Sequence, residues 1–166
     1  LSYLAAQQRA DGSWVPLWFG NQHRAEEENP VYGTTKVLLA YRDLGRFDSD
    51  QARRGVGWLL STQLRDGGWG GPRPAVKKTP APTTASVEET ALAVEALLPA
   101  SDRPEVARAI EKGLTWLVEA VESGRYRQAT PIGLYFAKLW YHEKLYPPTF
   151  AVSALGHAVR ALQDRA

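Results

Sequence analysis

The chain has 166 residues, a net charge of +2 at pH 7 and no cysteine. That length suits one domain, taken here as residues 1–166, and the scattered basic residues argue against a nucleic-acid partner. Without cysteine there are neither disulfides nor thiolate metal sites, and no apolar run is long enough to span a bilayer. The chain opens at Leu1 and contains no methionine, which indicates a piece of a longer protein.

A short unit occurs near the start of the chain and again in the middle. The first copy runs from Leu4 to Trp14 and the second from Leu59 to Trp69. Each reads as an apolar residue, three residues, Gln, three residues, Gly, one residue and Trp. A third, decayed copy ends at Gly124-Arg125-Tyr126, with Val121 in place of the Gln. Such self-similarity is typical of repeat architectures.

Apolar residues recur at helical spacing between and after the copies. In chain order the predicted helices are marked by Val37, Leu38 and Tyr41; Val56, Leu59 and Leu60; Val87, Ala91 and Val94; Val106, Ile110 and Leu117; Ile132, Tyr135, Phe136, Leu139 and Trp140; and Ala151, Ala154, Leu155, Ala158 and Leu162.

Start signals agree with these helices. Asp48 with Gln51 and Ser86 with Glu89 resemble capping boxes, and Pro104 suits a first helical turn. Residues 15–30 and 70–84 are predicted loops, and no segment alternates as a strand. The predicted fold class is all-α, built from stacked helix pairs.

The repeated unit resembles the QW motif of squalene–hopene cyclases and oxidosqualene cyclases. The resemblance extends to Trp18, four residues after Trp14, and to Tyr32-Gly33-Thr34 at the start of the next helix. The segment from Gly133 to Tyr141 is similar to the closing aromatic helix of that family. The similarity therefore covers nearly all of the chain.

The resemblance implies that the chain forms about half of an (α/α) barrel, the terpenoid cyclase toroid. Enzymes of this family are cyclases in the isomerase class, which protonate squalene or a related linear polyene and guide the resulting carbocations. Their acid comes from an Asp-x-Asp-Asp motif that this sequence lacks, since Asp48-Ser49-Asp50 has no final pair. The isolated chain is therefore expected to be inactive and to need an N-terminal part of the same protein.

Aromatic rings suit this chemistry because their faces attract cations yet are poor nucleophiles. By matched position, Trp18 and Tyr32 are the predicted cavity-lining residues, followed by the closing-helix residues Tyr135, Phe136, Trp140 and Tyr141. Core packing is the alternative for the closing-helix set. The QW residues Gln8, Gly12, Trp14, Gln63, Gly67 and Trp69 are predicted to be structural, fastening the outer helices together.

Because the sequence departs from the family pattern at two places, it does not identify the polyene substrate or the product. The loop between Trp18 and Tyr32 is longer than usual, and Ala129-Thr130-Pro131 replaces the usual Gly-Phe-Pro. No cofactor is predicted, and no metal, because His23, His142 and His157 lack ligand spacing. Asp11 and Asp66 lie in Asp-Gly turns, which explains them without catalysis.

Other functions remain as alternatives. A protein prenyltransferase barrel needs a cysteine ligand for its zinc, which this chain cannot supply. A carbohydrate-active barrel needs two carboxylates facing one cleft, and the sequence shows no well-placed pair. A non-catalytic helical repeat scaffold, binding a lipid or protein partner, is the main alternative. For the complete protein, the resemblance implies a bacterial enzyme bound to the cytoplasmic face of the membrane.

Overall fold

A computed structural model describes residues 1–24, 26–72, 82–130, 133–134 and 143–164. Within these ranges there are six α-helices, and short 3-10 turns at Leu98–Ala100 and Arg125–Arg127. The helices are α1 (Ser2–Ala6), α2 (Pro30–Asp43), α3 (Asp50–Thr62), α4 (Val87–Leu97), α5 (Pro104–Glu122) and α6 (Tyr146–Gln163). The predicted all-α class is confirmed.

Two pairs of short antiparallel strands join these helices, although no strand was predicted. In the first pair, β1 (Phe19–Gly20) lies beside β4 (Gly133–Leu134). In the second, β2 (Gly70–Pro72) lies beside β3 (Thr83–Ala85). Strands of two or three residues are too short for alternation to appear in the sequence. The helix predicted from Ile132 is therefore wrong at Gly133 and Leu134, which are extended and paired.

Three of the described helices, α2, α3 and α4, begin where a polar side chain caps them. Asn29 accepts from the backbone N–H of Tyr32 at 3.0 Å, and Ser86 accepts from that of Glu89 at 3.1 Å. The start of α3 was predicted one residue too early, because Ser49 rather than Asp48 caps that helix. A cap oxygen fills one of the four backbone donors that a helix start leaves unpaired.

Helix α4 forms the centre of the core, since every one of its residues is buried. It packs against α2, α5 and α6. One polar side chain ties three of these helices: Glu95 accepts from the Ser153 hydroxyl at 2.8 Å and pairs with Arg42 at 3.7 Å and His157 at 3.4 Å. This places α2, α4 and α6 side by side, alternating along the chain with α1, α3 and α5.

Candidate functional site

The first Gln-to-Trp unit ties the end of α1 to the start of α3. Gln8 donates from Nε2 to the carbonyl oxygens of Gly12 and Gln51, each at 2.9 Å. It also accepts a hydrogen bond from the guanidinium of Arg54. The side-chain amide of Gln8 therefore closes the turn after α1 and also contacts α3.

Trp14 completes this unit. Its indole donates to the Leu4 carbonyl at 2.7 Å, and its backbone N–H donates to the Thr34 hydroxyl at 3.0 Å. The indole is 2% exposed, so it also fills the core between α1, α2 and α3. The Thr34 contact positions the start of α2, where Tyr32 lies.

The second unit repeats these bonds between α3 and α5. Gln63 donates to the carbonyl oxygens of Gly67 at 2.8 Å and Ala109 at 2.9 Å. The indole of Trp69 donates to the Leu59 carbonyl at 2.8 Å, and the backbone N–H of Trp69 donates to the Thr90 hydroxyl at 2.9 Å. The two units thus form successive links along α1, α3 and α5.

Glycine is required at the turn of each unit for two reasons. Gly12 has φ of +96° and Gly67 of +93°, in the region that side chains rarely adopt. A Cβ on Gly12 would also lie 2.7 Å from the Arg54 carbonyl oxygen, and one on Gly67 would lie 2.9 Å from that of Lys112. Each turn therefore lies directly against the backbone of the next helix.

The two leading cavity candidates lie just after the first unit. Trp18 is 59% exposed, and Tyr32 is half-buried at the start of α2. The Tyr32 ring stacks on Phe19, with centroids 5.0 Å apart and planes at 19°. The structure therefore brings Tyr32 together with Phe19, an aromatic residue that the sequence pattern did not single out.

The four closing-helix candidates, Tyr135, Phe136, Trp140 and Tyr141, lie outside the described residues. Beyond them, α6 carries Tyr146 and Phe150, whose rings stack at 5.3 Å. The ammonium of Lys36, on α2, lies over both the Tyr32 ring and the Phe150 ring. Neither Phe150 nor Lys36 was predicted as a site residue, since only the folding of α6 beside α2 brings them together.

The second unit has a carboxylate where the first has an aromatic ring. Thr34 accepts from the backbone N–H of Trp14, and Thr90 accepts from that of Trp69. The two threonines are therefore equivalent, and so are the residues two positions before them. These residues are Tyr32 in α2 and Glu88 in α4. Glu88 is 1% exposed and accepts from the Thr130 N–H at 2.8 Å. Aligning the two threonines in the sequence was the signal that could have identified it.

Glu89 is a second buried carboxyl at the start of α4. Burial raises the pKa of Glu89 to about 7, although hydrogen bonding from Ser86 and the positive charge of Arg24 oppose the rise. The Ser86 hydroxyl donates to Glu89 Oε2 at 2.7 Å. A carboxyl with this pKa is partly protonated near neutral pH, and α4 places it one residue from Glu88.

An apolar groove lies away from these aromatic residues. Its volume is about 560 Å³, and it runs between α5 and α6. Residues of both helices line it, among them Ile110, Leu114, Val118, Ala158 and Leu162. None of the predicted cavity aromatics that the structure describes contributes to this groove.

Two features are absent from the part of the chain that the structure describes. No group of three or more His, Cys, Asp or Glu side chains is arranged there to hold a metal ion. Within the same residues, no helix has the length and apolar character needed to cross a bilayer.

Comparison with known proteins identifies the family. Residues 1–160 match the model of the squalene-hopene cyclase C-terminal domain. A squalene–hopene cyclase of Bradyrhizobium diazoefficiens is 37% identical over 119 residues, which cover 67% of this chain and 16% of that protein. The chain therefore belongs to the squalene–hopene cyclase C-terminal domain family, as the repeated unit predicted.

Copalyl diphosphate synthases are also similar to the chain. A copalyl diphosphate synthase of Streptomyces anulatus is 31% identical over 92% of this chain and 23% of its own length. Among solved structures, the ent-copalyl diphosphate synthase from Streptomyces platensis matches with a TM-score of 0.55 and 26% identity, covering 97% of this chain and 26% of that one. The chain thus spans about a quarter or less of the relatives it matches, and its all-α fold is that of terpene cyclases.

Proposed function

We propose that the complete protein is a terpene cyclase of the isomerase class, and that this chain supplies aromatic faces for its carbocations. The observation that carries the proposal is the position of Tyr32. The buried Trp14 unit positions the start of α2, and the Tyr32 ring is stacked on Phe19 and only half-buried. A ring held in this way can stabilise a cation by about 0.5–2 kcal/mol without capturing it.

Trp18 is proposed as a second cavity ring, because 59% of its surface is available to a substrate or to another part of the protein. Tyr135, Phe136, Trp140 and Tyr141 stay predictions from the family resemblance. The substrate class is proposed to be a linear polyene, either squalene-like or a prenyl diphosphate. Relatives named for both kinds of product are about equally similar to the chain.

The isolated chain is proposed to be inactive, because its sequence lacks an Asp-x-Asp-Asp acid. An acid from elsewhere in the complete protein would start the reaction. The Gln8 and Gln63 units are proposed to hold the wall of the cavity rigid. Location at the cytoplasmic face of a membrane stays a prediction for the complete protein.

Turnover by the complete protein tests this function. Squalene and geranylgeranyl diphosphate are supplied separately, and the products are identified by mass spectrometry. We expect cyclic product from one of them. Tyr32→Phe should retain the product pattern because the aromatic face is kept, whereas Tyr32→Ala should divert the product to less cyclised forms.

Tyr126→Ala is the matched control, since Tyr126 lies in the 3-10 turn of the decayed third copy. It should leave the products unchanged. No turnover of either substrate by the complete protein would favour the scaffold alternative. An unchanged product pattern in Tyr32→Ala would remove Tyr32 from the cavity.

A further inference from the structure

Lys36 lies one helical turn after Tyr32 and points its ammonium at two aromatic rings. Its Nζ is 5.5 Å from the centroid of the Tyr32 ring and 5.2 Å from that of the Phe150 ring. Tyr32 is on α2 and Phe150 is on α6, so the two rings come from different helices. Both distances are within about 6 Å, the range in which a ring face attracts a cation.

Each of the two rings is backed by another aromatic ring. Tyr32 stacks on Phe19 at 5.0 Å, and Phe150 stacks on Tyr146 at 5.3 Å, with planes at 19° and 24° respectively. Stacked partners restrict the rotation of a ring, so the two faces are set before any cation arrives. The arrangement is a preformed pair of faces with a positive charge at both.

The charges near Lys36 do not account for its position. The negative charge of Glu95 acts on Lys36, but this carboxylate is already engaged by Arg42 at 3.7 Å and by the Ser153 hydroxyl at 2.8 Å. Loss of water around the ammonium lowers the pKa of Lys36, and Glu95 only partly offsets this. The ammonium has lost part of its water here, and the faces of the Tyr32 and Phe150 rings are attractive contacts that lie against it.

We propose that Tyr32 and Phe150 form a two-ring subsite for an organic cation, and that the Lys36 side chain fills it in the free protein. Phe150 and Lys36 are then specificity-determining residues of the proposed cyclase, on which this inference rests for its substrate. A protonated amine has no lone pair and cannot capture a carbocation, but it competes for the same faces. Lys36 thereby decides whether a substrate cation is stabilised at this point of the wall.

The test is the binding of tetramethylammonium to the complete protein, since this ion carries a permanent charge and no donor hydrogen. Fluorotyrosine replaces tyrosine, the Tyr32 signal is assigned with Tyr32→Phe, and its fluorine resonance is followed as the ion is added. Lys36→Met should bind about tenfold more tightly than the unaltered protein. Lys36→Arg should resemble the unaltered protein, because the cation is kept.

Ring dependence is tested in the Lys36→Met background. Adding Phe150→Leu should remove the gain, and adding Phe150→Tyr should keep it because the face is retained. Phe47→Leu is the matched control, since Phe47 also packs on the core but lies between α2 and α3, eleven residues after Lys36. If Phe150→Leu does not fold, the comparison of Lys36→Met with Lys36→Arg still decides.

Equal affinity in Lys36→Met and the unaltered protein would overturn the subsite. So would an equal gain in affinity with Phe150→Leu present. Failure of the proposed function is separate, because it is read from turnover. Ammonium binding without turnover would support the subsite alone, whereas turnover without any Lys36 effect on binding would support the cyclase alone.

Discussion

The two Gln-to-Trp units make the same bonds in different surroundings. In both, a Gln amide donates to the turn carbonyl and to the next helix, and a Trp indole donates back to the helix before it. The first unit starts from α1, which has five residues and none buried. The second starts from α3, whose Leu59 carbonyl accepts from a fully buried indole.

In each unit a tryptophan of the next helix contacts the Asp-Gly turn, and in the first unit this is Trp58 on α3, whose side chain hydrogen-bonds Asp11. In the second unit the Trp116 indole donates to Asp66 Oδ2 at 3.2 Å, so that turn is held from α5. The comparison teaches that the motif determines the hydrogen bonds, whereas the helices that it joins determine how much those bonds stabilise. Three predictions follow from this difference, and each compares equivalent residues of the two copies.

The largest effect is expected at the tryptophans. Trp69→Ala should lower the free energy of unfolding by about 3–5 kcal/mol, because it removes a fully buried ring and leaves a cavity. Trp14→Ala should cost less, about 2–3 kcal/mol, since α1 buries no residue and can move to fill the space. Urea unfolding followed by circular dichroism measures both. Equal losses would show that the surroundings of the two units do not matter.

The pH dependence of stability is the second prediction, and it concerns the residue after Glu88. Burial raises the pKa of Glu89 to about 7, from 4.5 for an ordinary Glu. Above pH 4.5 the unfolded chain releases this proton while the folded chain retains it. The stabilisation is therefore complete below about pH 4.5, and it is lost as the pH rises to about 7, by roughly 3 kcal/mol.

Glu89→Gln should remove that part of the pH dependence, because the amide does not titrate. The comparison is again with the first copy, where the equivalent position is Gly33. A Cβ there would lie 2.4 Å from the Trp14 carbonyl oxygen, so no side chain and no titration is possible. The free energy of unfolding is measured from pH 4.5 to 7 for the unaltered protein and for Glu89→Gln. The same change with pH in both proteins would contradict the buried proton.

The smallest effect is expected at the glutamines. Gln63→Ala removes the donor to the Gly67 and Ala109 carbonyls, and should cost about 1–2 kcal/mol, or a fall of about 3–6 °C in Tm. Gln8→Ala should cost less, because the helix that it ties to α3 is α1, which has five residues and none buried. Gln128→Ala, at an exposed position, is the control. If the Tm of Gln63→Ala equalled that of Gln128→Ala, Gln63 would not fasten the two helices together.

Much of the fold was predictable because it depends on local patterns. Helical spacing and caps located α2, α4, α5 and α6, and the repeated unit indicated the family that the comparison then identified. The strands β1 and β4 could not be predicted, since each is two residues long and is stabilised by a partner far away in the sequence. The cap of α3 was missed for a different reason, since Asp48 and Ser49 are adjacent and both residue types favour a cap.

The candidate site shows which features could not be predicted from the sequence. By itself the sequence determined the helix periodicity, the turn glycines and the family, because those depend on residues a few positions apart. Only the tertiary structure decided that Lys36 meets Phe150, that Tyr32 stacks on Phe19 and that Glu89 keeps its proton. Ring contacts and desolvation depend on how elements distant in the chain pack together, and no local pattern records that packing.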